Sequence, residues 1–127
     1  MALYTTYFAQ LRNLPEHIVP ISITRSTPKW FTGLEYKKLA PTWEILSEWK
    51  SNEVKGKREE DRYINAFKSD VLSKLNPLDV VRELIDLAQS KDIALVCYEK
   101  RGDFCHRHIV GEWLTDGGFL CSELQQK

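Results

Sequence analysis

The sequence predicts a small α/β domain with a mostly parallel sheet of about four strands flanked by helices. Three observations carry this. Residues 93–98, Ile-Ala-Leu-Val-Cys-Tyr, form an apolar run without alternation, the pattern of a strand buried on both faces of a parallel sheet. Helical periodicity stands on either side of that run. The resulting order of helix, strand, helix, strand belongs to crossover units, which are right-handed in nearly all cases.

Each element has its own warrant. Residues 3–8 and 18–24 are rich in Tyr, Thr, Val and Ile, with Pro15 and Pro20 punctuating the stretch, and read as two strands. Residues 34–50 are aromatic-rich and only loosely periodic. Residues 51–62 mix Lys55, Lys57, Arg58 and Arg62 with four carboxylates around Gly56, the composition of a mobile surface loop or lid. Ile64, Phe67, Val71, Leu72 and Leu75 make one apolar stripe on a helix over 59–75. Asn76-Pro77 supplies an N-cap and a first-turn proline for a helix over 77–90. After the central strand, Ile109, Val110, Trp113 and Leu114 recur at helical spacing on a helix that begins near Cys105. Asp116-Gly117-Gly118 closes it, and a short strand follows at 119–123.

A chain of 127 residues with 43% hydrophobic and 28% charged residues is expected to form one domain over 1–127. Lys+Arg and Asp+Glu are 18 each, so no net charge steers the protein toward a polyanion or an acidic membrane. No apolar segment approaches the roughly eighteen residues of a membrane span, and the N-terminus has no secretory pattern. A cytosolic protein without a membrane partner is expected. Cys97, Cys105 and Cys121 are an odd count, which argues for reduced thiols.

Chemistry concentrates in Cys97-Tyr-Glu-Lys-Arg-Gly-Asp-Phe-Cys-His-Arg107, directly behind the central strand. Ligands of parallel sheets bind outside the carboxyl ends of the strands, where helix N-termini also point. Glu99, Cys105, His106 and Arg107 are therefore expected at that edge, joined by Arg25 and Ser26 at the end of the 18–24 strand. A thiol in the first turn of a helix beside basic residues has a lowered pKa, which makes Cys105 the candidate nucleophile. Glu99 would manage protons and His106 assist, while Arg25 and Arg107 would clamp an anionic group. Trp30, in a basic and aromatic loop with Phe31, could stack a base; Trp43, Trp49 and Trp113 read as packing. Cys97 reads as structural. Cys97, Cys105, His106 and His108 are metal-ligand types, yet the cysteines stand eight apart with one inside a buried strand, so no metal site is expected. No cofactor is expected either.

The chain resembles the family called domain of unknown function 488. The likeness rests on an apolar strand followed by Cys97-Tyr98-Glu99, a short loop, and Cys105-His106-Arg107 opening a helix. Upstream, Ile23-Thr24-Arg25-Ser26 matches the family's Asp-x-Arg plus hydroxyl mark, with Ile23 in the acidic position. The likeness extends through Tyr63 and Phe67 and spans roughly 18–120. The resemblance implies a bacterial or phage protein with a small three-layer, Rossmann-like α/β domain and a polar crevice at its strand ends, and no established reaction. The expected function is an enzyme acting on a phosphorylated or nucleotide-like substrate. The alternatives are a non-catalytic module for a nucleotide or single-stranded nucleic acid, and an assembly protein using the 30–50 region.

Overall fold

The computed structural model of the protein describes residues 1–99 and 103–124. Five strands form one sheet: β1 (Leu3–Tyr7), β2 (Ile18–Ser22), β3 (Leu34–Glu35), β4 (Asp92–Cys97) and β5 (Cys121–Glu123). Their spatial order is β3-β2-β4-β1-β5, and every pair is parallel. The sheet is thus α/β as expected, but wholly parallel and one strand wider. The missed strand is β3, whose two residues are too few to show any periodicity. It is held beside β2 at Ile21–Leu34 and Ser22–Glu35.

Four α-helices accompany the sheet: α1 (Trp43–Ser51), α2 (Lys57–Asp70), α3 (Pro77–Leu87) and α4 (His106–Asp116). The apolar residues Ile21, Ile93 and Leu95 of the sheet form one core with Ile45 of α1, Phe67 of α2, Leu84 of α3 and Val110 of α4. All four helices therefore cover the same face. The steps β3 to β4 and β4 to β5 run one way across the sheet, whereas β1 to β2 runs back. Right-handed connections then put the 8–17 segment, with its 3-10 turn Phe8–Asn13, on the opposite face. Thr6, Ala94 and Val96 are buried on that face. The expected three layers exist but are unequal, a thick helical layer against a thin irregular one.

Local sequence explains the helix ends. Asn76 Oδ1 accepts from the Leu78 and Asp79 amides (2.9 and 3.3 Å), and Pro77 takes the first helical position of α3. α3 stops at Leu87, short of the expected 90, because Gln89 and Ser90 adopt positive φ (52° and 65°). The lid expected over 51–62 is corrected: α2 already begins at Lys57, so only 52–56 separate α1 from α2. The Gly56 amide donates to Glu59 Oε1 at 2.8 Å, Lys57 pairs with Asp61 at 2.9 Å, and Arg62 reaches Glu48 of α1 at 3.3 Å. The mixed charges that suggested a solvated loop are the paired face of a helix. α2 also ends sooner than expected, at Asp70, with a 3-10 turn over Leu72–Lys74.

At the far end of α4, Gly118 takes the left-handed conformation (φ 98°), and Gly117 lets the α3 start approach. A Cβ at Gly117 would lie 2.7 Å from Pro77 Cβ.

Candidate functional site

Because the strands are parallel, the ends of β2 and β4 open on one edge, and α4 starts there. A crevice of about 110 Å³ lies at this edge between the 24–26 segment, α1, residues 98–99 and residues 104–106. Arg25, Ser26, Glu99, Cys105 and His106 all line it, so two stretches about seventy positions apart in sequence do meet at one rim. Arg107 and Trp30 do not line it. Lys100, Arg101 and Gly102 of the same stretch lie outside the described residues.

His106 is the pivot of the floor. Its Nε2 lies 2.7 Å from the Ile23 carbonyl oxygen, stitching the end of β2 to the start of α4. A carbonyl only accepts, so Nε2 carries the proton and Nδ1 keeps its lone pair in the neutral ring. Nδ1 faces Cys105 Sγ at 3.8 Å, and the ring packs on Phe67 with centroids 5.6 Å apart. Burial is the main force lowering its pKa, to about 4; the Ile23 hydrogen bond opposes this, and Arg107 and His108 add to it. The imidazole is neutral at physiological pH. Moving a proton onto it from an ordinary thiol of pKa near 8.5 is uphill by roughly 6 kcal/mol.

That comparison bears on Cys105, which stands at the N-cap position of α4 without a side-chain capping bond and is 4% exposed. Its sulfur is bonded to Cys97, so the expectations of a free Cys105 thiolate and of reduced thiols throughout are corrected for this pair. Cys121 alone is free, and burial, reinforced by Glu123, pushes its thiol up to about 12. A free thiolate nucleophile beside a strong imidazole base is not what this floor provides.

Arg107 is the second correction. Its side chain is 0% exposed. Nε and Nη2 grip Glu123 of β5 at 3.1 and 2.9 Å, and Nη1 donates to Cys97 Sγ at 3.2 Å and to the Glu99 carbonyl at 2.5 Å. A guanidinium with no exposed surface and four donors engaged has no face for a substrate anion. It is a strut that ties α4, β4 and β5 together. Burial alone would raise the pKa of Glu123, but hydrogen bonds from Arg107 and Thr5 outweigh it and hold the carboxyl low.

Arg25 keeps its expected place. Its Nε donates to the Pro41 carbonyl at 2.9 Å, and Nη2 reaches the Lys37 and Ala40 carbonyls at 3.5 and 3.4 Å. These bonds tie the guanidinium to the 37–41 segment and leave Nη1 with no bond to a described residue. Ser26 is fixed through its carbonyl, which accepts from Tyr98 Oη at 2.6 Å. Glu99 is exposed at the crevice mouth and is the only carboxylate among the described lining residues. Extended backbone does not persist past Cys97, so Cys97 and Glu99 do not share a face as a longer strand would make them. Trp30 is 64% exposed and packs edge-on against Phe8 and Phe31, outside the crevice.

Several lining residues were not foreseen. Trp43 and Trp49, expected in packing, both line the crevice, and Trp43 is 62% exposed. Trp49, Tyr63 and Phe104 make one aromatic wall, with centroids 4.8 to 5.6 Å apart. Lys50 stands one residue beyond Trp49, exposed, with no hydrogen bond or ion pair to a described residue. The α1 pattern of Trp43, Leu46, Trp49 and Lys50 was the available signal: an amphipathic helix whose second face is aromatic.

Cys97, Cys105 and His106 also form a group of three metal-ligand types, all buried, with donor atoms within 4.8 Å of one another. The expectation that no such site exists rested on knuckle spacing. That argument fails because the chain leaves β4 and returns at the N-terminus of α4, which brings the two cysteines together across the intervening loop. His108 is exposed and outside the group.

These features define the class: an all-parallel, Rossmann-like α/β protein with an aromatic crevice at its strand ends. The family model for the Active DUF488-N3 subclade matches residues 7–118, and the chain belongs to the DUF488 family. No curated protein and no solved structure matches it.

Proposed function

We propose that the protein binds a nucleotide-like ligand in this crevice and acts on it as an enzyme. One observation carries the reading: aromatic side chains and two cations with no carboxylate partner among the described residues, Arg25 and Lys50, line the same small cavity. A planar ring would stack on the wall that Trp49, Tyr63 and Phe104 form or on the exposed Trp43, and an anionic group would meet Arg25 and Lys50 at the rim. Stacking on an aromatic side chain contributes about 1–3 kcal/mol per base, and a hydrogen bond to a charged group about 1.5–3 kcal/mol. Glu99, at the mouth, is the group able to give or take a proton from the bound ligand. The setting proposed is cytoplasmic.

The experiment is a titration of reduced, metal-free protein with a panel of nucleoside monophosphates, nucleosides and inorganic phosphate, read by tryptophan fluorescence. Saturable quenching is expected with a phosphorylated nucleoside and little with phosphate alone. Arg25→Ala and Lys50→Ala should each weaken binding by about tenfold or more. No quenching by any member, or affinities untouched by both substitutions, would sink the proposal. Glu99→Gln separates the enzyme from the binding module: in an enzyme it leaves affinity intact and abolishes conversion detected by mass spectrometry.

A further inference from the structure

We infer that the reduced protein holds a zinc-class divalent metal ion on Cys97, Cys105 and His106, at the floor of the crevice. This goes beyond the ligand reading and does not rest on it.

The donor set decides the metal class. Two sulfurs and one imidazole nitrogen with no oxygen donor suit zinc and other borderline-soft ions, and exclude magnesium and calcium. The three donor atoms lie within 4.8 Å of one another and all three residues are buried. The Cα atoms of Cys97 and Cys105 stand 7.5 Å apart, which accommodates the sulfur spacing of roughly 3.8 Å set by two 2.3 Å bonds at a tetrahedral angle.

The outer partners also belong to a metal site. The Ile23 carbonyl fixes the His106 ring and its tautomer, leaving the Nδ1 lone pair toward the sulfurs. Arg107 Nη1 donates to Cys97 Sγ at 3.2 Å, a contact that favours the thiolate a metal needs. Three protein ligands leave one tetrahedral position open. Cys105 and His106 line the crevice and Cys97 does not, so the open position faces the cavity.

Oxidised and metal-bound forms exclude each other, because the sulfurs joined to one another cannot both bind as thiolates. A dithiol reductant supplies two electrons and two protons, the sulfur–sulfur bond breaks into two thiols, and the reductant leaves as its own disulfide. Metal binding then displaces those two protons to solvent.

The test uses the full chain, reduced with dithiothreitol, desalted without oxygen and titrated with Co²⁺. The expected result is one Co²⁺ per chain, with thiolate charge-transfer bands and intense tetrahedral d–d bands that Zn²⁺ abolishes. Oxidised protein should show neither. Cys105→Ser and His106→Gln should each weaken binding by roughly tenfold or more, while Cys121→Ser leaves it unchanged. Reduced wild-type protein without a thiolate band would overturn the inference, whatever the variants do. So would a band that survives Cys105→Ser and disappears in Cys121→Ser. Because the probe is the metal alone, the nucleotide titration can fail without touching this result, and the reverse.

Discussion

Removing the carboxylate that faces Arg107 should be among the most damaging single changes in the protein. In Glu123→Ala the guanidinium, 0% exposed in the wild type, would lose two hydrogen bonds of 3.1 and 2.9 Å. Orphaning one partner of a buried pair costs about 3–5 kcal/mol. The Glu123 side chain is 19% exposed, so water can partly replace it and the lower end, about 3 kcal/mol, applies. For a chain of this length that lowers Tm by roughly 10 °C, measured by circular dichroism in a thermal scan. The pH dependence follows from the lowered pKa of Glu123. A carboxyl depressed in the fold contributes stability that is present above its unfolded pKa of about 4.3 and is lost as pH falls through the folded value. Wild type should therefore exceed Glu123→Gln in stability at pH 7, and the gap should close in acid. Arg107→Met combined with Glu123→Leu should recover most of the loss, since an apolar pair leaves no buried charge. A drop in Tm below about 2 °C in Glu123→Ala would refute the account of Arg107 as a strut.

Three further outcomes test the packing around the site. Gly117→Ala should cost about 1–3 kcal/mol in urea unfolding, because the new methyl meets the rigid Pro77 ring at 2.7–2.8 Å; a neutral result would show that α3 and α4 slide freely. Asn76→Ala should cost about 1 kcal/mol through the two amides it caps at the start of α3. Ile23→Asp should destabilise by several kcal/mol, because that side chain is 0% exposed within the apolar core, whereas Ile23→Val should cost about 1 kcal/mol. An aspartate variant as stable as wild type would mean that the side chain at 23 turns out of the core toward His106.

The fold was legible where burial imposes a pattern. Residues 93–97 of the apolar run lie in β4 and are buried, while Tyr98 falls beyond the strand and is 51% exposed; Asn76-Pro77 opens α3 as its chemistry requires. The segment at 51–62 was misread because charge composition alone does not separate a loop from a helix whose charges pair at three and four. The Gly56 to Glu59 spacing, a capping arrangement, was the distinguishing feature. In the site, the meeting of Arg25 with Cys105 could be argued from parallel topology. The fate of Arg107 could not, since its partner Glu123 comes from β5, a strand whose neighbours are set by the order of the sheet. The bond between Cys97 and Cys105 was equally hidden, because eight positions of sequence say nothing about how the loop returns.

Charge at the crevice is distributed differently from charge in the sequence. Reading 97–107 as a string suggests an anion site built from its own histidine and arginine. In the structure His106 is neutral and held by a carbonyl, and Arg107 is cancelled by Glu123, so neither offers net positive charge to a ligand. Among the described lining residues, the positive charge left without a carboxylate partner sits on Arg25 and Lys50, outside that string. The proposed attraction for an anion would therefore belong to the rim, above a nearly neutral floor of sulfur and imidazole. Such a floor would discriminate through coordination or close fit, whereas the rim would discriminate through charge. Raising the salt concentration should weaken ligand binding at the rim while leaving metal uptake at the floor almost unchanged.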